Sequence, residues 1–243
     1  MTQRIAGWVV TAIAALFAAS ISARGVDNLA LANEADGANW ASYGRTFSEN
    51  HFSPLRQIND GNIGQLGLAW HYDLPQVASV FSAPLAVDGI LYFAIGYSVV
   101  HAMDAKTGKL LWQYDPKVAE VAGKRLRPAW GIRGIAFWGD KVYTGTQDGR
   151  LIALDARTGK LRWSVQTLEP NDDRYITGPP WVFNGKVVIG HGGADFNPVR
   201  GYVTAYDAQT GKQAWRFYTV PGNPADGFED AAMERAAKTW RGE

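Results

Sequence analysis

The chain has 243 residues, with 24 Lys and Arg against 23 Asp and Glu and 47% hydrophobic residues. That is the balance of a folded protein of one or two domains, not a disordered one. No Cys is present, which excludes disulfides, thiolate zinc sites, a Cys nucleophile and covalently attached c-type haem within these residues. The near-equal charges argue against nucleic acid as a partner, since such binders carry a basic excess.

The N-terminus reads as an export leader. Arg4 is the only charge before Arg24, and Ile5 to Ile21 is an uncharged run of 17 residues. A membrane-spanning helix needs about 20 apolar residues. A basic start, an apolar run and then small residues (Ala18, Ala19, Ser20, Ser22, Ala23) make a secretory signal. Small pairs allow cleavage after Ser22 or after Ala32, and an uncleaved anchor is the alternative. The expected division is a leader over 1–32 and a domain over 33–243. In either case the domain is expected outside the cytoplasm.

The next predicted element is Leu66-Gly67-Leu68-Ala69-Trp70, an outer strand without inner partners of its own. An internal repeat follows. Its three copies are Ala102 to Trp112, Ala153 to Trp163 and Ala205 to Trp215, each built on Asp-Ala-x-Thr-Gly-Lys and closed by Trp. The Asp residues, Asp104, Asp155 and Asp207, stand 51 and 52 residues apart. Upstream of each copy lie two short apolar segments joined by Asp88-Gly89, Gly139-Asp140 or Asn184-Gly185, which are hairpin signals. Each repeat therefore predicts four antiparallel strands, with the Asp-Ala-x-Thr-Gly-Lys step turning the third into the fourth. Asp can bond its own backbone there and Gly can take a positive φ. The closing Trp is expected to fill the gap between adjacent units.

Four-stranded units of about 50 residues set radially make an all-β β-propeller of antiparallel blades; a stacked β-solenoid is the alternative. About three repeats and the outer strand are present. Finally, Phe228 to Trp240 predicts a short helix with Phe228, Ala232 and Ala236 on one side.

Specific words add more. Asn39-Trp40-Ala41-Ser42-Tyr43-Gly44-Arg45 with Phe52-Ser53-Pro54-Leu55 and Gln57-Ile58-Asn59 resembles the opening of quinoprotein alcohol dehydrogenases of the methanol/ethanol type. So do Asp148 to Asp155, Gly190 to Asp195, Val199 to Asp207 and Trp215 to Gly222. The resemblance runs from about residue 38 to the end. It implies an eight-bladed propeller with pyrroloquinoline quinone (PQQ) and Ca²⁺ on its axis, oxidising a small alcohol to an aldehyde in the periplasm. A cytochrome or membrane quinone would accept the electrons. This chain would be the N-terminal portion, the remaining blades, the floor under the quinone, further metal ligands and the general base lying beyond it. No catalytic residue is assigned here, and the fragment is expected to be inactive alone.

The resemblance also implies site residues. The small residues Gly192, Gly193 and Ala194 would let a flat ring approach the backbone; an ordinary glycine turn is the alternative. Asp195 matches a metal-ligand position that is usually Glu, and a carboxylate suits Ca²⁺. Arg133 matches the Arg facing the quinone oxygens, where a fixed positive charge stabilises developing negative charge. Thr177 matches a Thr that hydrogen-bonds the cofactor. His191 is given no role. Two positions depart from the family. Arg127 and Pro128 stand where adjacent cysteines usually form a disulfide ring, with Trp130 nearby as a possible apolar cover. Phe81 stands at or near a Glu that bonds a quinone carboxylate. A non-catalytic exported scaffold for protein interaction, or a truncated propeller that never closes, are the competing readings.

Overall fold

A computed structural model describes residues 25–74, 79–169, 173–195 and 198–240. The apolar leader run lies outside the described residues. Three four-stranded antiparallel sheets follow one another in the chain. The first comprises β1 (Leu85–Val87), β2 (Ile90–Ile95), β3 (Val99–Asp104) and β4 (Leu110–Tyr114). The second comprises β5 (Ala136–Trp138), β6 (Lys141–Gly145), β7 (Arg150–Asp155) and β8 (Leu161–Gln166). The third comprises β9 (Trp181–Phe183), β10 (Lys186–Ile189), β11 (Tyr202–Asp207) and β12 (Gln213–Tyr218). Each sheet is a meander with its strands in sequence order, and the first strands β5 and β9 touch. This is the blade pattern that the repeat predicts.

The turn signature explains both the local geometry and the assembly of blades. In all three copies the Asp carboxylate accepts from the Thr backbone N–H and hydroxyl three residues on, at 2.7 to 2.8 Å. The Gly that follows takes φ of +69° to +73°, a conformation that strains any residue with a Cβ. The Ala after each Asp works in two directions. Its N–H donates to the turn between its own blade's first two strands, from Ala105 to Gly89, Ala156 to Asp140 and Ala208 to Gly185, each at 2.9 Å. Its carbonyl accepts the indole N–H of the Trp in the preceding unit. Trp70 donates to Ala105 at 3.1 Å, Trp112 to Ala156 at 2.9 Å and Trp163 to Ala208 at 3.1 Å. The same ring lies on the following blade's turn glycine: a Cβ at Gly108, Gly159 or Gly211 would come within 2.6 to 2.9 Å of it. The Trp is therefore the inter-blade plug that its position suggests. Trp215 has no such partner among the described residues and is exposed.

Two elements differ in detail from expectation. Leu66 to Trp70 forms no strand, because no inner strand beside it offers a ladder; Trp70 alone is anchored, by its docking on the first blade. The helix near the end is α3 (Ala231–Ala237), capped by Asp230, whose carboxylate accepts from Ala232 and Met233 N–H. That cap leaves Phe228 outside the helix, and the buried contact is made by Met233 rather than by Ala232 or Ala236. Earlier short helices are α1 (Asn28–Ala32) and α2 (Val118–Val121).

Within each blade the turns of one end face the same way. The first-to-second and third-to-fourth strand turns share one face of the array; the second-to-third loops and inter-blade connections share the other. The N-terminal segment straps the first face. Val26 pairs with Gly139, Asn28 bonds Asn184, Asn39 accepts from Asp88 N–H and Trp40 pairs with Ala86. This strap reaches the corresponding hairpin of all three blades. Val26 and Leu31 are buried with the blade core.

Candidate functional site

The opposite face carries the candidate site. Four stretches converge there: the entry to β1, the β4–β5 and β8–β9 connections, and the β10–β11 loop. They line an open cavity of about 450 Å³, within the rough range of 300–1,000 Å³ typical of small-molecule sites. Phe81 comes from the first stretch, Trp130, Gly131 and Arg133 from the second, Tyr175 and Thr177 from the third, Gly192 and Asp195 from the fourth. Three separate blades thus contribute to one pocket, through loops that are far apart in sequence.

Arg133 and Thr177 are tied together by backbone. The Thr177 carbonyl accepts from Arg133 N–H at 2.9 Å and from its Nε at 3.3 Å. This fixes the root of the guanidinium and leaves its end exposed beside the cavity. Thr177 is largely buried and lines the same wall. An Arg and a hydroxyl set side by side can bind carboxylate or carbonyl oxygens of a ligand.

Gly192 of the glycine loop lines the cavity and also makes room for a ring of this chain. Gly192 and Tyr175 form an isolated antiparallel bridge, with Gly192 N–H donating to Tyr175 O at 2.8 Å. A Cβ on Gly192 would stand 2.9 Å from the Tyr175 ring. The flat ring that the missing side chain admits is therefore that of Tyr175. Gly193 has φ +113° and packs against the backbone of Asp173 and Arg174. Neither Gly193 nor Ala194 lines the cavity; Asp195, exposed at the end of the loop, does.

Tyr175 is the lining residue that motif reading missed. Its signal was alternation: in an extended connection, residues 175 and 177 point the same way. Trp130 lies edge-on to it, with ring centroids 5.6 Å apart, and the Arg127 guanidinium covers its ring at 4.6 Å. Thus the residue in a usual Cys place is part of an aromatic wall. Phe81 is 58% exposed beside the same cavity.

These groups fit a flat anionic ring. They offer aromatic surface, a guanidinium and a hydroxyl around a volume of suitable size. They do not complete a metal site: among the described residues no group of three or more His, Cys, Asp or Glu could hold an ion, while Ca²⁺ takes six to eight oxygens. Asp195 could supply one ligand of a larger set.

Comparison with known proteins agrees with the fold. Residues 40–242 match the family described as "PQQ: Glucose/ethanol/alcohol dehydrogenase, beta-propeller domain". The chain is 53% identical over 222 residues to quinohemoprotein alcohol dehydrogenase ADH IIB of Pseudomonas putida, covering 91% of this chain and 32% of that protein. Among solved structures, quinohemoprotein alcohol dehydrogenase ADHIIG of Pseudomonas putida HK5 superposes with a TM-score of 0.84 at 51% identity, over 90% of this chain and 32% of that one. A europium-containing methanol dehydrogenase gives 0.69 at 30% identity, over 84% and 36%. The chain spans about a third of the length of the relatives it matches. With the blade repeat, the docked tryptophans and a match over most of its residues, the chain belongs to the PQQ-type glucose/ethanol/alcohol dehydrogenase β-propeller family.

Proposed function

We propose that this chain is the N-terminal part of an exported, periplasmic alcohol dehydrogenase that uses PQQ and Ca²⁺ to oxidise alcohols to aldehydes. Electrons would pass onward to a cytochrome or a quinone. The observation that carries the reading is the convergence of Arg133, Thr177 and Asp195 on one cavity with an aromatic wall. When bound, PQQ supplies the two-electron acceptor for alcohol oxidation. The chain's own residues bind and orient. Arg133 holds a permanent positive charge against the ring oxygens, Thr177 offers a hydroxyl donor, and Trp130 and Tyr175 exclude water from one side. Asp195 contributes one oxygen toward the cation. Among the described residues that line this cavity the one carboxylate, Asp195, is given to the cation, so the chain alone is expected to bind cofactor without turning over.

The test is reconstitution of the chain with PQQ and Ca²⁺. Quinone binding, read by equilibrium dialysis, is expected, with no dye-linked alcohol oxidation. Arg133→Ala should weaken that binding about tenfold to a hundredfold, the range for a lost charge-assisted hydrogen bond. Binding that is indifferent to Arg133→Ala would remove the basis for the reading.

A further inference from the structure

Gln147 belongs to the β6–β7 loop, on the cavity face of the second blade, and is 2% exposed. Its amide is devoted to one neighbouring loop. Its Oε1 accepts from Arg127 N–H at 2.6 Å, and its Nε2 donates to the carbonyls of Trp130 at 2.6 Å and Arg127 at 3.3 Å. Three bonds from one side chain to both ends of a four-residue stretch amount to a clamp. Arg125 braces the start of the same stretch from Asp148 O at 3.2 Å.

The clamped loop is one that needs holding. Trp130 N–H donates to Arg127 O at 3.1 Å, closing a turn with Pro128 and Ala129 in its middle. Ala129 has φ +66°, the sign that the third position of a type II turn demands and that Gly normally supplies. A residue with a Cβ is strained there. The turn's two ends are the wall itself: Arg127 covers the Tyr175 ring while Trp130 meets its edge. Gly192 backs the same ring. Displacing the loop would move both contacts together.

We propose that Gln147 is the positioning residue of the cavity's aromatic wall, and that Arg127, whose guanidinium covers the Tyr175 ring, adds a second positive charge behind that wall that favours a flat, multiply anionic ring. The first half stands on the clamp geometry. The second rests on the cofactor reading given above.

Variants of the full chain separate the two. The probes are near-UV circular dichroism of the unliganded protein and equilibrium dialysis of PQQ over a salt series. Gln147→Ala should lose the near-UV signal that Trp130→Phe also removes, and bind PQQ about tenfold more weakly. Gln147→Glu keeps the acceptor for Arg127 N–H but loses the donor to Trp130 O, and should fall between. Arg127→Met should weaken binding and flatten its salt dependence, and Arg127→Lys should restore the slope, which a purely structural Arg127 would not affect. An unchanged near-UV spectrum in Gln147→Ala overturns the clamp. An unchanged salt slope in Arg127→Met overturns the charge role. If the unmodified chain takes up no PQQ, the cofactor reading and the Arg127 role fall together, and the near-UV comparison still decides Gln147.

Discussion

The three turn aspartates carry the residue-scale chemistry of the repeat. Hydrogen bonds from the Thr107 hydroxyl and backbone hold the Asp104 carboxyl below its ordinary value of 3.8, and Thr210 does the same for Asp207. Asp155 is pushed up by burial, but bonds from Thr158 and Arg162 outweigh that and its net shift is also downward. A carboxyl whose folded pKa is depressed contributes its full stability above the unfolded value and loses it as pH falls through the lower folded value. Thermal melts should therefore lose stability below about pH 4, with all three blades affected. Asp155→Asn should melt lower at pH 7 and show a smaller loss between pH 5 and 3; an equal loss would mean these turns do not set acid sensitivity. His101 acts in the same direction at higher pH. It is fully buried and stacked on Phe93 at 5.2 Å, and burial lowers its pKa. Its stability contribution is present above the ordinary value of 6.5 and declines as pH falls below it.

At the scale of elements, the Trp-to-Ala link explains how one blade is held to the next. Trp112 is nearly buried between blades, and Trp215 occupies the same repeat position with 44% of its surface exposed. Trp112→Ala should cost about 3–5 kcal/mol, the range for removing a large buried aromatic ring. It also leaves the Ala156 carbonyl without its indole donor, although Tyr92 still donates to it at 3.2 Å. Trp215→Ala should change the stability of this chain by no more than about 0.5 kcal/mol, as for a surface substitution. Equilibrium denaturation of the two variants checks the contrast, and equal costs would show that Trp112 is not an inter-blade plug. The strap acts between elements too. Arg45, 3% exposed, donates to the carbonyls of Phe52, Asp36 and Glu34 and to the Glu34 carboxylate, which keeps this irregular segment in one shape across the blades.

For the molecule as a whole, the strap bears on processing. Val26 and Leu31 lie in the core, and Val26 pairs with Gly139. A cut after Ala32 would remove them, whereas a cut after Ser22 would keep them. If the leader proposed above is removed, N-terminal sequencing of the protein should give a chain beginning at Ala23. One beginning at Asn33 would mean that the Val26–Gly139 contact is dispensable.

Blades, strand order and turn register were legible from the sequence alone, because each rests on hairpin neighbours close in the chain and is written three times; the tryptophan plugs were legible from their repeated position, although each docks on an Ala carbonyl 35 to 45 residues further on. Arg133, Thr177 and Asp195 were legible only through resemblance, since nothing local distinguishes a cavity Arg from one at a blade rim. What tertiary structure decided was which loops meet. Nothing in the sequence ties Arg127, Trp130 or the glycine pair at 192–193 to Tyr175, and only the stacking of adjacent blades brings that ring between them. The same packing puts Gln147 under the loop and Gly192 against Tyr175. Periodicity reports which way a side chain leaves its own strand; contacts between separate blades depend on the angle and distance at which sheets pack, and those are set by the whole core at once.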